Sequence, residues 1–324
     1  MKAIELAGLE GIKSLRVIDA RRPIPGMNEV LIEVKAAGVN FAEIELIQGR
    51  YPARKPLPHV VGFEAAGLVV EVGSQVRGLK VGDKVTAIVS SGGYAEYATA
   101  DASAAIPIPG GISFAEASTI PIQGFSAYTL LKFAARPQPH ETILIQAAAG
   151  GVGLYLVQLL KIAGVMRIIA LASSKEKLEL VKSLGADVTI NYSEKSWADQ
   201  VRGATEGKGA DIVLEAASGE VGDESFKLIA PFGRMVVYGA RNVHDTISPE
   251  KIQQLIYKNQ SLIGFNFPSL RPEQIGECAP GLLSLISQGK LRLFAKNVFP
   301  LTEVKTAFEA LSSRQTIGKV VLTP

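Results

Sequence analysis

A chain of 324 residues exceeds the roughly 250–300 residues that one hydrophobic core usually supports, so two domains are expected. Its 34 basic and 31 acidic residues are spread along the sequence and leave a formal net charge of +3, which suits neither nucleic acid nor a membrane surface as a partner. The only cysteine, Cys278, excludes an intrachain disulfide and a four-thiolate zinc site.

The first residues contain no basic stretch followed by an apolar run, which a secretory signal requires. Apolar stretches elsewhere are shorter than the roughly 20 residues needed to span a bilayer. We therefore expect a cytoplasmic protein without a membrane partner.

From Glu29 to about Ala105 the sequence is rich in β-forming residues and punctuated by glycine. The pattern predicts strands over residues 30–34, 66–72 and 84–89. Short strands at this spacing indicate a compact, barrel-like domain.

The pattern changes after Pro109. Residues 113–135 have helical spacing, with Ser113 and Glu116 as a capping box, and from Glu141 strands alternate with helices. The predicted strands cover residues 143–145, 167–171, 188–190, 212–214 and 234–238, and two of the helices cover 154–163 and 175–184. This alternation predicts a doubly wound parallel sheet, and a last strand over 319–322 is expected to return to the first domain.

The first of these α/β strands is followed by Ala147-Ala148-Ala149-Gly150-Gly151-Val152-Gly153 and an apolar helix, which is the context of a dinucleotide-binding turn. Gly150 lets a pyrophosphate approach the backbone, and Gly153 lets the helix pack closely on the strand. Ala148 stands where the usual pattern has its first glycine, and a tight turn without a ligand is the alternative. The residues predicted to bind the cofactor here are Ala149, Gly150, Gly151, Val152 and Gly153.

The residues after the second strand indicate which cofactor binds. An NAD-binding chain places Asp or Glu about 20 residues after the glycines, whereas this chain has Ser173, Ser174 and Lys177. Hydroxyls and an amine favour the 2′-phosphate of NADPH. The alternatives are a helix N-cap for Ser173 and a solvated charge for Lys177, and Tyr192 is either a further contact or a surface turn residue.

Together with Gly38-Val39-Asn40-Phe41, Gly62-Phe63-Glu64-Ala65-Ala66-Gly67 and Gly92-Gly93-Tyr94-Ala95-Glu96-Tyr97, these motifs resemble the quinone oxidoreductases of the medium-chain dehydrogenase/reductase superfamily that need no zinc. The sequence is also similar to the enoyl reductase domains of polyketide synthases. The resemblance covers essentially the whole chain in the family's order. It implies a β-rich, GroES-like catalytic domain of residues 1–122 and 265–324, into which a Rossmann NADPH-binding domain of residues 123–264 is inserted.

The resemblance also implies roles for individual residues. Asn40 is expected to hold substrate or cofactor, or else to cap a helix, and Tyr51 is expected to donate its hydroxyl, or else to line the pocket. Glu45 stands where many quinone oxidoreductases carry a tyrosine. Further positions implied near the nicotinamide are Gly239, Ala240, Phe265 and Phe267, of which the two phenylalanines are equally consistent with a place in the core.

Zinc-dependent alcohol dehydrogenases of the superfamily use a Gly-His-Glu motif, and this chain has Phe63 in the place of the histidine. The histidines are His59, His140 and His244, and no thiolate lies near Asn40 in the sequence, so we predict no metal site. Glu64 and His59 are expected to make structural hydrogen bonds instead.

Reduction of a simple carbonyl needs a Lewis acid or a proton donor at its oxygen. Without zinc, the expected substrate is a small conjugated acceptor, either a quinone or an α,β-unsaturated carbonyl or enoyl thioester, with Tyr51 or water as the proton source. An NADPH-binding protein of structural or sensory function with negligible turnover is the alternative. A homodimer is also predicted, because the family commonly pairs its Rossmann sheets edge to edge.

Overall fold

The computed structural model describes residues 1–52, 55–239 and 247–324, which form two compact units. The first unit contains Met1–Ile122 and Arg292–Pro324, and the second contains Gln123–Leu291. Within the described residues, no helix combines the length and the apolar character needed to cross a membrane.

The strands are β1 (Lys2–Leu6), β2 (Leu15–Asp19), β3 (Glu29–Val39), β4 (His59–Val60), β5 (Glu64–Val72), β6 (Lys84–Ile88), β7 (Tyr97–Asp101), β8 (Ala105–Pro107), β9 (Thr142–Ile145), β10 (Arg167–Ala172), β11 (Val188–Asn191), β12 (Ala210–Glu215), β13 (Ile229–Val237), β14 (Ser261–Gly264), β15 (Asn297–Pro300) and β16 (Val320–Thr323). The α-helices are α1 (Phe41–Ile47), α2 (Phe114–Ala117), α3 (Phe125–Thr129), α4 (Gly151–Ile162), α5 (Lys175–Ser183), α6 (Trp197–Ala204), α7 (Gly219–Lys227), α8 (Pro249–Lys258), α9 (Pro272–Ser287) and α10 (Val304–Ser312).

The first unit is organised around the long strand β3, which pairs antiparallel with β5, β7 and β16 in a seven-stranded sheet. Val30, Ile32 and Val34 of β3 point into the core, as the period of two along a strand requires. The three strands predicted from the sequence correspond to β3, β5 and β6. The predicted return of the C-terminal strand is also confirmed, because Val320 pairs with Val39 and Leu322 with Ala37.

The second unit contains a six-stranded sheet in the order β11-β10-β9-β12-β13-β14, and every pairing in it is parallel. Counted along the chain, the third, second, first, fourth, fifth and sixth strands lie side by side, which is the order of the Rossmann fold. The predicted fold class is therefore confirmed. The order reverses at β9 and β12, and ligands of such sheets bind beyond the carboxyl ends of the strands at this point.

The structure of residues 113–135 differs from the continuous helix that their spacing predicted. The capping box is present, because Ser113 Oγ accepts from the Glu116 N–H and the Glu116 side chain accepts from the Ser113 N–H. The chain then forms α2, a π-helical turn at Ile120–Gly124, α3 and a second π-helical turn at Leu130–Ala135. Pro121 lies within the first π-helical turn and has no N–H to donate to an α-helical hydrogen bond.

The second compact unit continues beyond Gly264, the end of the predicted cofactor domain, to Leu291. This extension includes α9, whose Cys278, Leu282 and Ile286 are buried. Gly281 of α9 lies directly against the ring of Tyr128 on α3, within the same unit. Compactness does not by itself define a functional domain, so the division into residues 1–122 with 265–324 and residues 123–264 stays a prediction.

Candidate functional site

The predicted dinucleotide-binding turn joins β9 to α4. β9 lies between β10 and β12, so the turn begins at the centre of the sheet. Ala147 has a left-handed backbone with φ of 47°, and the Ala148 N–H donates to the carbonyl oxygen of Leu171 in β10 at 3.0 Å. Gly150 is the N-cap of α4, and Ala149 before it is buried. The turn therefore places the first residue of α4 at the carboxyl edge of the sheet.

Gly153 allows α4 to pack closely on this turn. A Cβ at Gly153 would lie 2.7 Å from Ala148 Cα and would overlap the carbonyl oxygen of Ala147. The first N–H groups of an α-helix have no partner within the helix, and here they belong to Gly151, Val152 and Gly153. This helix start can bind an anionic group of a cofactor.

The end of β10 carries the residues predicted to select the cofactor. Ser174 is the N-cap of α5, and its Oγ accepts from the Lys177 N–H at 3.4 Å. The capping alternative considered for Ser173 was thus wrong by one residue, because β10 continues to Ala172. Ser173 instead accepts at Oγ from Lys177 Nζ at 3.4 Å.

Lys177 is not a solvated charge, because it is only 8% exposed. Burial lowers the pKa of its amine from the ordinary value of 10.5. Tyr192 follows β11, and its N–H donates to the carbonyl oxygen of Ala172 at 3.1 Å, so it lies beside the end of β10. The structure therefore brings Ser173, Lys177 and Tyr192 to one edge of the sheet, where a phosphate group would meet an amine and hydroxyls.

The residues implied near the nicotinamide have different surroundings. A Cβ at Gly239 would lie 2.9 Å from Ala216 Cα, so the segments after β13 and β12 approach closely there. Phe265 is half-buried, and its N–H donates to the carbonyl oxygen of Val237 at 2.9 Å. Phe267 is buried and stacks on Phe125 with ring centroids 6.4 Å apart, as the core alternative anticipated. The remaining position, Ala240, lies outside the described residues.

Two buried polar residues at the carboxyl ends of β9 and β12 were not predicted from the sequence. Gln146 Oε1 accepts from the N–H groups of Ala216 at 3.2 Å and Ala217 at 2.9 Å, while its Nε2 has no partner among the described residues. Glu215 Oε1 accepts from the N–H groups of Ala217 at 3.1 Å and Ser218 at 2.7 Å. A polar residue that directly follows an apolar strand was the available signal in both cases. These bonds fix the segment after β12 against β9.

In the first unit, Asn40 belongs to a buried polar network that connects the start of α1, the start of β5 and Lys319, the residue before β16. Asn40 Nδ2 donates to Glu64 Oε1 at 2.9 Å, and Asn40 Oδ1 accepts from Lys319 Nζ at 2.6 Å. Lys319 Nζ also donates to Glu64 Oε1, and Glu64 Oε2 accepts from the Ile122 N–H at 2.9 Å. Asn40 is the N-cap of α1, and its side-chain amide is occupied by the hydrogen bonds to Glu64 and Lys319.

Glu43 on α1 extends this network. It is fully buried and accepts from the Tyr94 hydroxyl at 2.5 Å, the Asn40 N–H at 2.8 Å and the Phe63 N–H at 3.0 Å. Burial raises the pKa of Glu43 to about 7, because the hydrogen bonds and the charge of Lys319 only partly offset the loss of hydration. The first unit thus contains a carboxyl group that changes protonation near neutral pH.

Tyr51 lies close to this network. It is half-buried and packs against Phe63 with ring centroids 5.9 Å apart. Burial, and then the nearby Glu43 carboxylate, raise the pKa of its hydroxyl above 10. Nearby, Glu45 is buried and forms a bidentate pair with Arg50, at 2.7 Å from Nε and 2.8 Å from Nη2. Tyr51 therefore keeps its proton at neutral pH and can donate a hydrogen bond.

The side chains around Phe63 are a poor ligand set for zinc. Glu64 is paired with Lys319, and His59 Nδ1 lies 3.0 Å from the carbonyl oxygen of Pro56, so both make the structural hydrogen bonds expected of them. Over residues 1–52, 55–239 and 247–324, no group of three or more His, Cys, Asp or Glu side chains is arranged to hold a metal ion. His244 lies outside these ranges.

Comparison with known proteins matches both units. Residues 26–110 match the alcohol dehydrogenase GroES-like domain, and residues 151–287 match the family described as zinc-binding dehydrogenase. The chain is 33% identical to a quinone oxidoreductase of Pseudomonas aeruginosa over 100% of this chain and 99% of that protein.

Two solved structures have similar folds over nearly their whole length. The quinone oxidoreductase of Escherichia coli, in complex with NADPH, is 30% identical with a TM-score of 0.91, and each chain is covered to 100%. The CurK enoyl reductase is 31% identical with a TM-score of 0.88, covering 99% of this chain and 98% of that one.

Proposed function

Because the chain belongs to the medium-chain dehydrogenase/reductase family, in its quinone oxidoreductase branch, we propose that it is an NADPH-dependent oxidoreductase acting on a conjugated acceptor. The observation that carries the proposal is the pairing of Ser173 with the buried Lys177 at the end of β10. An enzyme that uses NADH would place a carboxylate at this position.

The described residues fit this cofactor. The N-terminus of α4 offers the N–H groups of Gly151, Val152 and Gly153 to a diphosphate, and Gly153 leaves no room for a side chain beneath it. Lys177 and Ser173 would bind the 2′-phosphate through charge-assisted hydrogen bonds. The relative from Escherichia coli, which has a similar fold, was solved in complex with NADPH and supports this assignment.

When bound, NADPH supplies a hydride, and the acceptor needs one further proton to complete its reduction. Tyr51 is the proposed hydrogen-bond or proton donor, with water as the alternative source, because its raised pKa keeps the hydroxyl protonated. Asn40 is proposed to act indirectly, since its amide is bonded to Glu64 and Lys319. We propose that it positions α1 rather than contacting the substrate.

We further propose that the reaction is independent of zinc, since Phe63 cannot ligate a metal and Glu64 is paired with Lys319. Quinones, α,β-unsaturated carbonyls and enoyl thioesters all delocalise the negative charge that hydride addition creates, so they need less electrostatic help than a simple carbonyl. The two solved relatives, a quinone oxidoreductase and an enoyl reductase, support both branches of this substrate class.

The test is NADPH oxidation, followed by absorbance, against a panel of quinones, enones and enoyl thioesters. Turnover of at least one of these substrate classes supports the proposal. A lower turnover in Tyr51→Phe supports Tyr51 as the proton donor, and an unchanged turnover supports water. Tight NADPH binding without turnover of any class would favour the structural or sensory alternative. Absence of NADPH binding would overturn both.

We also propose a homodimer formed through β14, which is the last strand at one edge of the six-stranded sheet in the described part of the chain. The preceding helix α8 exposes Ile252, Ile256 and Tyr257, which a second copy can cover. Light scattering should give twice the mass of 34.4 kDa. A monomer at micromolar concentration would contradict this assembly.

A further inference from the structure

Gln123 is the first residue of the second unit, and its side chain lies over the first residue of α4. A Cβ built on Gly151 would overlap all three terminal atoms of the Gln123 amide, Nε2, Cδ and Oε1. The amide therefore lies in contact with the backbone of Gly151. This is the first turn of the helix whose N–H groups face an anion in the proposed cofactor site.

The glycine at position 151 is explained by this contact. The dinucleotide-binding fingerprint needs its second and third glycines at Gly150 and Gly153 and leaves the position after Gly150 free. Gly151 has an ordinary helical backbone, so no unusual φ angle requires glycine there. The Gln123 amide occupies the space that a side chain at position 151 would fill.

Gln123 is 9% exposed, and its side chain makes no hydrogen bond with the residues that the structure describes. Among the described residues, the fully buried side-chain atoms without a hydrogen-bond partner are Gln146 Nε2 and Ser225 Oγ, so solvent still reaches the Gln123 amide. A ligand at the start of α4 can therefore reach this amide too and replace that solvent with a hydrogen bond.

We propose that Gln123 binds the cofactor, with its side-chain amide donating a hydrogen bond to the diphosphate. The inference rests on the proposed function, because it assigns a further contact within the same site. The diphosphate is the favoured group because the N–H groups of Gly151, Val152 and Gly153 are directed to the same anion. Since NADH and NADPH share this group, Gln123 should affect both cofactors alike, whereas Lys177 should affect only NADPH.

The test is a set of substitutions that changes the head group of this side chain, with dissociation constants for NADPH and NADH measured by fluorescence titration. Q123M keeps the length and loses the hydrogen bond, so binding of both cofactors should weaken about 2- to 13-fold. Q123E adds a negative charge and should weaken binding roughly tenfold further, more so at low salt. Q123K should bind at least as tightly as the unchanged protein.

Gln200→Met, on an exposed position of α6, is the matched control and should leave both constants unchanged. Circular dichroism and thermal denaturation show whether each variant is folded, and Q123M and Q123K still decide the question if Q123E unfolds. Equal dissociation constants for Q123E and Q123M, or for all variants, would overturn the role of Gln123 and leave the proposed function intact. A failure of the unchanged protein to bind either cofactor would overturn the proposed function itself.

Discussion

Replacing Lys177 with alanine should separate the two nicotinamide cofactors. Lys177 is 8% exposed, and its Nζ already lies 3.4 Å from Ser173 Oγ, so little side-chain order has to be gained when a 2′-phosphate binds. Losing one charge-assisted hydrogen bond of about 1.5–3 kcal/mol corresponds to roughly 10- to 150-fold weaker binding of NADPH. The affinity for NADH, which lacks this phosphate, should change little.

The assay is a comparison of KM and kcat for both cofactors, with dissociation constants from fluorescence titration. The value of kcat at saturation should be nearly unchanged, because the phosphate contact is equally strong in the ground state and the transition state. Lys175→Ala is the matched control, since Lys175 lies in the same turn of α5 with its side chain 91% exposed. Equal losses for NADH and NADPH, or a similar loss in Lys175→Ala, would refute the assignment.

Four further outcomes are expected. Gly153→Ala should lower the free energy of unfolding by about 1–3 kcal/mol and weaken NADPH binding, because the added methyl group would overlap the turn before α4. Unchanged thermal denaturation and NADPH titration curves would contradict this close packing. Lys319→Met should lower the free energy of unfolding by about 3–5 kcal/mol in urea denaturation, because Glu64 stays buried without its partner. The double variant Lys319→Met/Glu64→Gln should recover part of this loss, whereas additive losses would refute the pairing. The neutral form of Glu43 stabilises the fold below pH 4.5, and this contribution is lost as the pH rises through about 7. Between pH 4.5 and 8, the free energy of unfolding should therefore fall less in Glu43→Gln than in the unchanged protein, by on the order of 3 kcal/mol. Parallel pH profiles of the two proteins would argue against this role of Glu43. Treatment with a chelator should leave activity intact, and a loss that zinc restores would overturn the proposed mechanism.

The second unit was predictable from the sequence because its signals are local. An apolar strand, the glycine turn ending at Gly153 and an apolar helix follow one another directly, and a parallel sheet places the end of β10 beside that turn. The residues after Ala172 could therefore be proposed as cofactor contacts from position and charge alone. The sequence suggested Ser173 as the helix cap, whereas the cap is Ser174. The difference arises because the exact end of a strand or helix is poorly defined by sequence patterns.

The polar network of the first unit could not be predicted, because its members are far apart in the sequence. Lys319 and Glu64 are separated by 255 positions, and each lies in a segment whose apolar neighbours predict only a strand. The hydrogen bonds of Asn40 to these distant partners could not be read from the sequence, and they are the reason for the positioning role proposed for it. Long-range pairing of buried charges leaves no periodic signal in one sequence.

The pairing of β16 with β3 also determines the order in which the chain can fold while it is being synthesised. The second unit is continuous, so it can complete its folding as soon as Leu291 has left the ribosome. Residues Ala37 to Val39 of β3 must wait for β16, which is translated after the other strands of this sheet. During that interval an unpaired strand edge is exposed, and we expect a nascent chain halted before Val320 to depend on chaperones and to aggregate more readily than a chain that includes β16.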